Sequence, residues 1–129
     1  INLEKSYFSI VLLRGYYNFH EVNSFLSVLN FEECDLNLAS FYKLKLKNIK
    51  FKNCKLVEVD FTETNLTNSI FNNCDLNGAI FDNTILEKSD FRTSYNYAMN
   101  PEINSIKKAK FSLQGIPGLL GKYNIEVEI

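Results

Sequence analysis

A single periodicity constrains this chain more than any other feature. Phe occupies positions 31, 41, 51, 61, 71, 81 and 91, and Leu occupies 36, 46, 56, 66, 76 and 86. Thirteen consecutive fifth residues therefore alternate between Phe and Leu without a miss. A period of five is neither the 3.6 of an amphipathic helix nor the 2 of a half-buried strand. A short fixed period sustained over this length predicts a stacked repeat architecture, in which each repeat buries its apolar face against its neighbours.

A second pattern lies inside the first. Two residues before many of the Phe and Leu positions the side chain is small, as at Cys34, Ala39, Cys54, Ser69, Cys74, Ala79, Thr84 and Ser89. Cys34, Cys54 and Cys74 are spaced by twenty, so four pentapeptides per turn place the thiols in one inward column. The same rule puts Phe31, Phe51, Phe71 and Phe91 in one column and Phe41, Phe61 and Phe81 in the opposite one, with Leu on the two remaining walls. Successive layers of such a stack lie about 4.8 Å apart. An odd number of cysteines in an inward column predicts packing rather than a disulfide framework. With His20 the single histidine and no Cys-x-x-Cys pair, no metal and no cofactor is expected.

The stretches Phe-Asn-Asn-Cys-Asp-Leu-Asn-Gly-Ala-Ile-Phe (71–81) and Asp-Phe-Thr-Glu-Thr-Asn-Leu-Thr-Asn-Ser (60–69) resemble the pentapeptide-repeat proteins. That resemblance implies an all-β fold, a right-handed quadrilateral parallel β-helix, closed here by a short C-terminal helix and strand. The 129 residues suffice for one domain, divided into repeats over 1–111 (regular over 29–93) and a capping, dimer-forming element over 112–129.

The margins are less regular. Leu3, Phe8 and Leu13 keep the spacing of five, but Phe19 comes one residue late and Phe31 follows after twelve residues rather than ten. A phase break of this kind predicts a protruding loop over 20–25, where His20 is read as a surface residue and a secondary contact. Opening on Ile1 rather than Met predicts a piece of a longer protein. After Arg92 the repeat is expected to stop, with a turn at Asn100-Pro101-Glu102 and one partial repeat through Ile106, Ala109 and Phe111. Residues 116–123 read as a short helix entered through Pro117, and the alternation of Ile125, Val127 and Ile129 with Asn124, Glu126 and Glu128 reads as a terminal strand. Leu119, Leu120, Tyr123 and Ile125 are the candidate cap and dimer residues; the alternative is that they fold back over Phe111 and finish a monomeric core.

The charges lie at outward positions. Formal net charge is −1, which favours neither bulk nucleic-acid binding nor membrane attraction, and no apolar run is long enough to span a bilayer. Lys43, Lys45, Lys47, Lys50, Lys52 and Lys55 crowd into one layer but wrap around all four walls, with Asp35, Asp75, Glu32 and Glu63 twenty residues away or next to that position. Stacked ion pairs are expected there, together with amide ladders of Asn53 on Asn73 and Asn48 on Asn68. Residues 56–93 then hold seven acids against Lys88 and Arg92. Asp60, Glu63 and Asp82 share the wall centred on Phe61 and Phe81, with Glu58 and Asp75 nearby, and form the candidate partner-binding face. A stack filled by Phe and Leu offers no evident catalytic cleft, so no enzymatic activity is expected.

The tail, with its adjacent Leu119 and Leu120 before a final apolar stretch, is similar to the quinolone-resistance (Qnr) branch of the family. That branch implies a bacterial, cytoplasmic, dimeric rod that imitates duplex DNA and binds DNA gyrase and topoisomerase IV, without direct contact to nucleic acid or membrane. The other reading is a β-helical scaffold with a different partner.

Overall fold

In the computed structural model the described residues are 2–4 and 30–128. Four short strands, β1 (Asn2–Glu4), β2 (Asn30–Glu32), β3 (Lys50–Lys52) and β4 (Ile70–Asn72), form one parallel sheet in that order. The register sets Phe31 beside Phe51 and Phe51 beside Phe71. Single parallel bridges repeat the same offset of twenty on the other three sides: Asp35 with Lys55 and Asp75, Ser40 with Asp60 and Ile80, Lys45 with Asn65 and Ile85. Each twenty residues therefore lie as one four-sided layer over the last. In chain order the sides are wall 1 (the Phe31 column), wall 2 (Leu36), wall 3 (Phe41) and wall 4 (Leu46).

The interior is built as the periodicity predicts. Phe31, Phe51, Phe71 and Phe91 stack along wall 1 at centroid separations of 5.5, 5.2 and 4.6 Å. Phe41, Phe61 and Phe81 stack at 5.2 Å along wall 3, and the two columns meet edge-on, as Phe51 and Phe61 do at 6.1 Å. Offset and edge-to-face contacts add roughly 0.5–1.5 kcal/mol per aromatic pair to the burial itself. Leu36, Leu56, Leu76, Leu46, Leu66 and Leu86 are fully buried on walls 2 and 4.

Between central residues the chain turns a corner by the same device each time. The second residue after each Phe or Leu from 31 to 86 is left-handed, from Glu33 at φ 52° through Leu38 at 66° to Lys88 at 59°. Five of the twelve are Asn and one is Gly78, the residues that enter this region most cheaply. The inward residue that follows each corner then differs between walls. Those ahead of the Leu walls reach the carbonyl of the layer before: Thr64 Oγ1 donates to Phe41 O and Thr84 Oγ1 to Phe61 O, each at 2.8 Å. Ser94 Oγ donates to Phe71 O at 2.6 Å, and Cys54 and Cys74 direct their thiols at Phe31 O and Phe51 O at 3.4 Å. Ahead of the Phe walls the inward residues are mainly apolar, including Ala39, Ile49, Val59 and Ala79. All three cysteines are buried and unpaired by disulfide. The neighbouring Cys74 thiol, with burial, pushes Cys54 far up and leaves it a neutral thiol.

Three expectations are corrected. The repeat does not stop at Arg92: Tyr95 bridges to Asp75, Ser105 to Ile85 and Lys110 to Asp90, and Phe111 stacks on Phe91 at 5.4 Å. Its central positions there are Asn96, Pro101 and Ile106 rather than Phe or Leu, and buried Tyr97 and Met99 fill the space instead. The helix starts earlier and is tighter than expected, a 3-10 helix over Leu113–Leu119 followed by a second over Gly121–Tyr123. The Ser112 hydroxyl accepts from Gly115 N–H at 3.1 Å and caps its start. No strand forms over 124–128, because the 3-10 segment already covers the end of the stack. Ile125 and Val127 are more than half exposed.

At the other end β1 places Leu3 in register with Phe31. Phase counting gives three residues beyond the regular spacing, whereas this pairing, 28 positions apart, leaves eight more than one layer. The discrepancy is one whole repeat, to which a count in fives is blind. The expected loop over 20–25, with His20, lies outside the described residues.

Candidate functional site

The outward positions of each wall follow from the corner geometry, so the sequence fixes where every charge points. Asp60, Glu63 and Asp82 stand on wall 3, and Glu58 and Asp75 on the adjoining wall 2, with Glu58 and Asp60 flanking the corner made by buried Val59. Wall 3 continues one layer further to Glu102, since Ile80, Asp82 and Asn83 are followed after twenty residues by Asn100, Glu102 and Ile103. Glu102 lies past Phe91, the last centre of the unbroken run, and carries no repeat mark of its own, but it stands twenty residues beyond Asp82.

These carboxylates differ in what already occupies them. Glu63 is paired with Lys43 of the layer below at 3.9 Å. Asp60 Oδ1 accepts from the Thr62 N–H at 2.9 Å, an Asx turn that holds the start of the wall. Asp75 Oδ1 accepts from Asn77 N–H and from the Asn96 amide, both at 3.1 Å. Glu102 forms an ion pair with Lys122 and accepts from the Tyr123 hydroxyl at 3.1 Å, and these donors hold its carboxyl below the usual range. Asp82 and Glu58 are exposed and make no ion pair with a described residue. Walls 2 and 3 together thus carry seven acids (Asp35, Glu58, Asp60, Glu63, Asp75, Asp82, Glu102) against Lys43 and Lys55.

The expected stacked pairs form in part. Lys52 meets Glu32 at 3.5 Å, and Asn68 and Asn73 donate to Asn48 and Asn53 at 2.7 and 2.8 Å, giving both amide ladders. Lys55 is in backbone register with Asp35 and Asp75 but forms no ion pair with either. Arg92 instead clamps Asp90 of its own turn with two guanidinium contacts, at 3.1 and 2.9 Å, and lowers the Asp90 pKa.

Two open clefts of about 320 and 330 Å³ flank the C-terminal 3-10 segment. One is lined by Ile80, Asp82, Met99 and Lys122, the other by Tyr95, Tyr97, Ser112 and Gln114. Of the candidate cap residues, Leu119 turns inward and is buried, Leu120 is half-buried, and Tyr123 and Ile125 are about half exposed. No group of His, Cys, Asp and Glu suited to a metal occurs among the described residues, and none of their helices is long and apolar enough to cross a membrane.

A family model described as a pentapeptide repeat region matches residues 24–100. The chain belongs to the pentapeptide-repeat family. No curated protein matches it significantly. Among solved structures, this pentapeptide-repeat protein is similar to a trypsin-treated form of QnrB1, a plasmid-mediated fluoroquinolone resistance protein. The two are 18% identical over 81% of this chain and 72% of that one, with a TM-score of 0.28. It is also similar to HetL, a pentapeptide repeat protein involved in heterocyst differentiation regulation in the cyanobacterium Nostoc, at 13% identity over 70% of this chain and 55% of that one, TM-score 0.36. A pentapeptide repeat protein of the cyanobacterium Cyanothece is 24% identical over 66% of this chain and 58% of that one, TM-score 0.23.

Proposed function

We propose that this chain is a non-enzymatic, protein-binding rod, a right-handed quadrilateral parallel β-helix whose acidic side enters the basic groove of a DNA-binding enzyme. Residues 1–111 form the rod and 112–129 its cap, through which two copies pair. DNA gyrase or topoisomerase IV, in the bacterial cytoplasm, is the partner that the resemblance to the Qnr branch implies. The observation that carries this reading is the gathering of Glu58, Asp60, Asp75 and Asp82 on two adjoining walls of a stiff stack. Enzymes that hold duplex DNA do so largely through phosphate contacts, which need negative charge at fixed spacing rather than base identity. Carboxylates raised on a rigid sheet meet that requirement with little ordering cost on binding.

Binding to gyrase is expected to weaken with salt, to compete with duplex DNA and to alter supercoiling. Glu58→Lys with Asp82→Lys should abolish it while leaving the melting temperature within a few degrees, because neither side chain supports a turn. A purified chain that neither binds gyrase at low salt nor changes supercoiling sinks the reading. The second reading, a scaffold for another protein, is favoured by the Lys43–Glu63 pair and by the Asx turn at Asp60. Both divert wall 3 carboxylates from a free array.

A further inference from the structure

Wall 4 has the opposite character to the side just described. Its outward positions read Lys45, Lys47 and Asn48, then Asn65, Thr67 and Asn68, then Ile85, Glu87 and Lys88, then Ser105, Lys107 and Lys108. The order of the columns is fixed by the bridges of Lys45 with Asn65 and of Ile85 with Ser105. It is fixed also by the Asn68 amide donating to Asn48 Oδ1 and by the Lys88 N–H donating to Lys107 O. Five lysines thus stand against one acid. Lys47, Lys88, Lys107 and Lys108 are exposed and make no ion pair with a described residue. Wall 4 faces away from wall 2, so charge is segregated across the rod even though the net formal charge is only −1.

We infer that wall 4 is a binding surface for the phosphate backbone of duplex nucleic acid, a second face beyond the acidic one. Three features of the wall select this occupant. Its cations form two groups, Lys45 with Lys47 in one layer and Lys88, Lys107 and Lys108 two and three layers on. At the layer spacing the groups are about 10–14 Å apart, comparable with the roughly 12 Å of a major groove between its phosphate ridges. The strip between them, Asn65, Thr67 and Asn68, is polar and uncharged. The wall also carries no aromatic residue on which unstacked bases could lie, as single-strand binders require. Finally, Ile85 is its one outward apolar side chain, too little to anchor the wall in a lipid interface.

The test is fluorescence anisotropy of the purified full chain with a labelled 20-base-pair duplex, across a series of salt concentrations. Binding at low salt is expected, with log K falling against log[salt] at a slope of about −3 to −4, since each neutralised phosphate contributes about 0.9. Lys107→Glu with Lys108→Glu should weaken binding at least ~10-fold and flatten the slope by about two. Lys107→Gln with Lys108→Gln gives the same direction should the Glu pair melt early. Lys43→Glu with Lys55→Glu, an equal charge change on the acidic side, should leave affinity within about twofold. The proposal is overturned by absence of duplex binding at low salt, or by equal losses in the two charge-reversal pairs. Tighter binding to single strands or to phosphatidylserine vesicles overturns it as well. No topoisomerase is present in this assay, so its failure leaves the acidic-side reading untouched, and a failed gyrase assay leaves this one untouched.

Discussion

Thr84 and Ser69 hold equivalent inward positions in the repeat, both essentially without exposure, yet their hydroxyls differ in fate. Thr84 Oγ1 donates to Phe61 O at 2.8 Å, whereas Ser69 Oγ, ahead of a Phe wall, has no partner. Removing the first takes one of two donors from Phe61 O, which keeps the Thr64 N–H at 3.1 Å; removing the second relieves an unmet polar atom. Thr84→Val is therefore expected to cost about 0.5–1.5 kcal/mol in urea denaturation, and Ser69→Ala to be neutral or stabilising by up to about 1 kcal/mol. Equal losses in both variants would show that the side-chain bond to the neighbouring layer contributes nothing particular. At this scale the sequence was legible in size and not in chemistry. Small residues two before each centre announced an inward column, but the split between donors ahead of Leu walls and apolar residues ahead of Phe walls needs the offset of 23 between donor and carbonyl. A five-residue motif cannot reveal that offset.

At the scale of elements, the C-terminal segment is held by close backbone approach. A Cβ on Gly118 would lie 2.1 Å from the Tyr97 carbonyl oxygen, and one on Gly115 would lie 1.6 Å from the Tyr97 hydroxyl. Only glycine fits at either place. Gly118 O also accepts the Met99 N–H at 3.0 Å, tying the 3-10 segment to the last layer. Gly118→Ala must push backbone from backbone, so it is expected to destabilise by roughly 1–3 kcal/mol or more and to expose the Met99 amide to hydrogen exchange. Retained protection of that amide in the variant would show that the segment docks by another route. In the sequence these glycines weakened the expectation of a helix, because a glycine's fit against another backbone carries no periodic signal. The layers beyond Arg92 were hidden for a related reason. Asn96 and Pro101 replace Leu and Phe at the centres, and the space is filled by Tyr97, one position out of register, and by the larger Met99 in the column of Ala79. The regular part of the fold was legible because thirteen identical environments leave thirteen identical marks.

The whole molecule combines two features that no local motif carries, a segregation of charge between opposite walls and an apolar end. The first follows from reading outward positions in steps of twenty past Arg92, where Glu102 joins wall 3 and Lys107 and Lys108 join wall 4 although the unbroken run of Phe and Leu centres has ended. The second bears on the proposed pairing of two copies. Burial of Leu119 in the core removes it from any contact between copies, so a two-fold pair must use what stays outside. Leu113 is 85% exposed, and Ile125 and Val127 are more than half exposed. Apolar side chains concentrated at one end of a rod are more than a lone surface needs, and a two-fold contact would cover them on both copies at once. Leu113→Glu with Ile125→Glu is expected to halve the mass seen by light scattering without lowering the melting temperature, since neither side chain touches the core. Leu119→Glu should instead unfold the cap, because it buries a charge without a partner. A wild-type chain that scatters as a monomer at high concentration removes the pairing. The apolar end would then serve only to close the stack, covering the last layer's edge against strand addition by another chain.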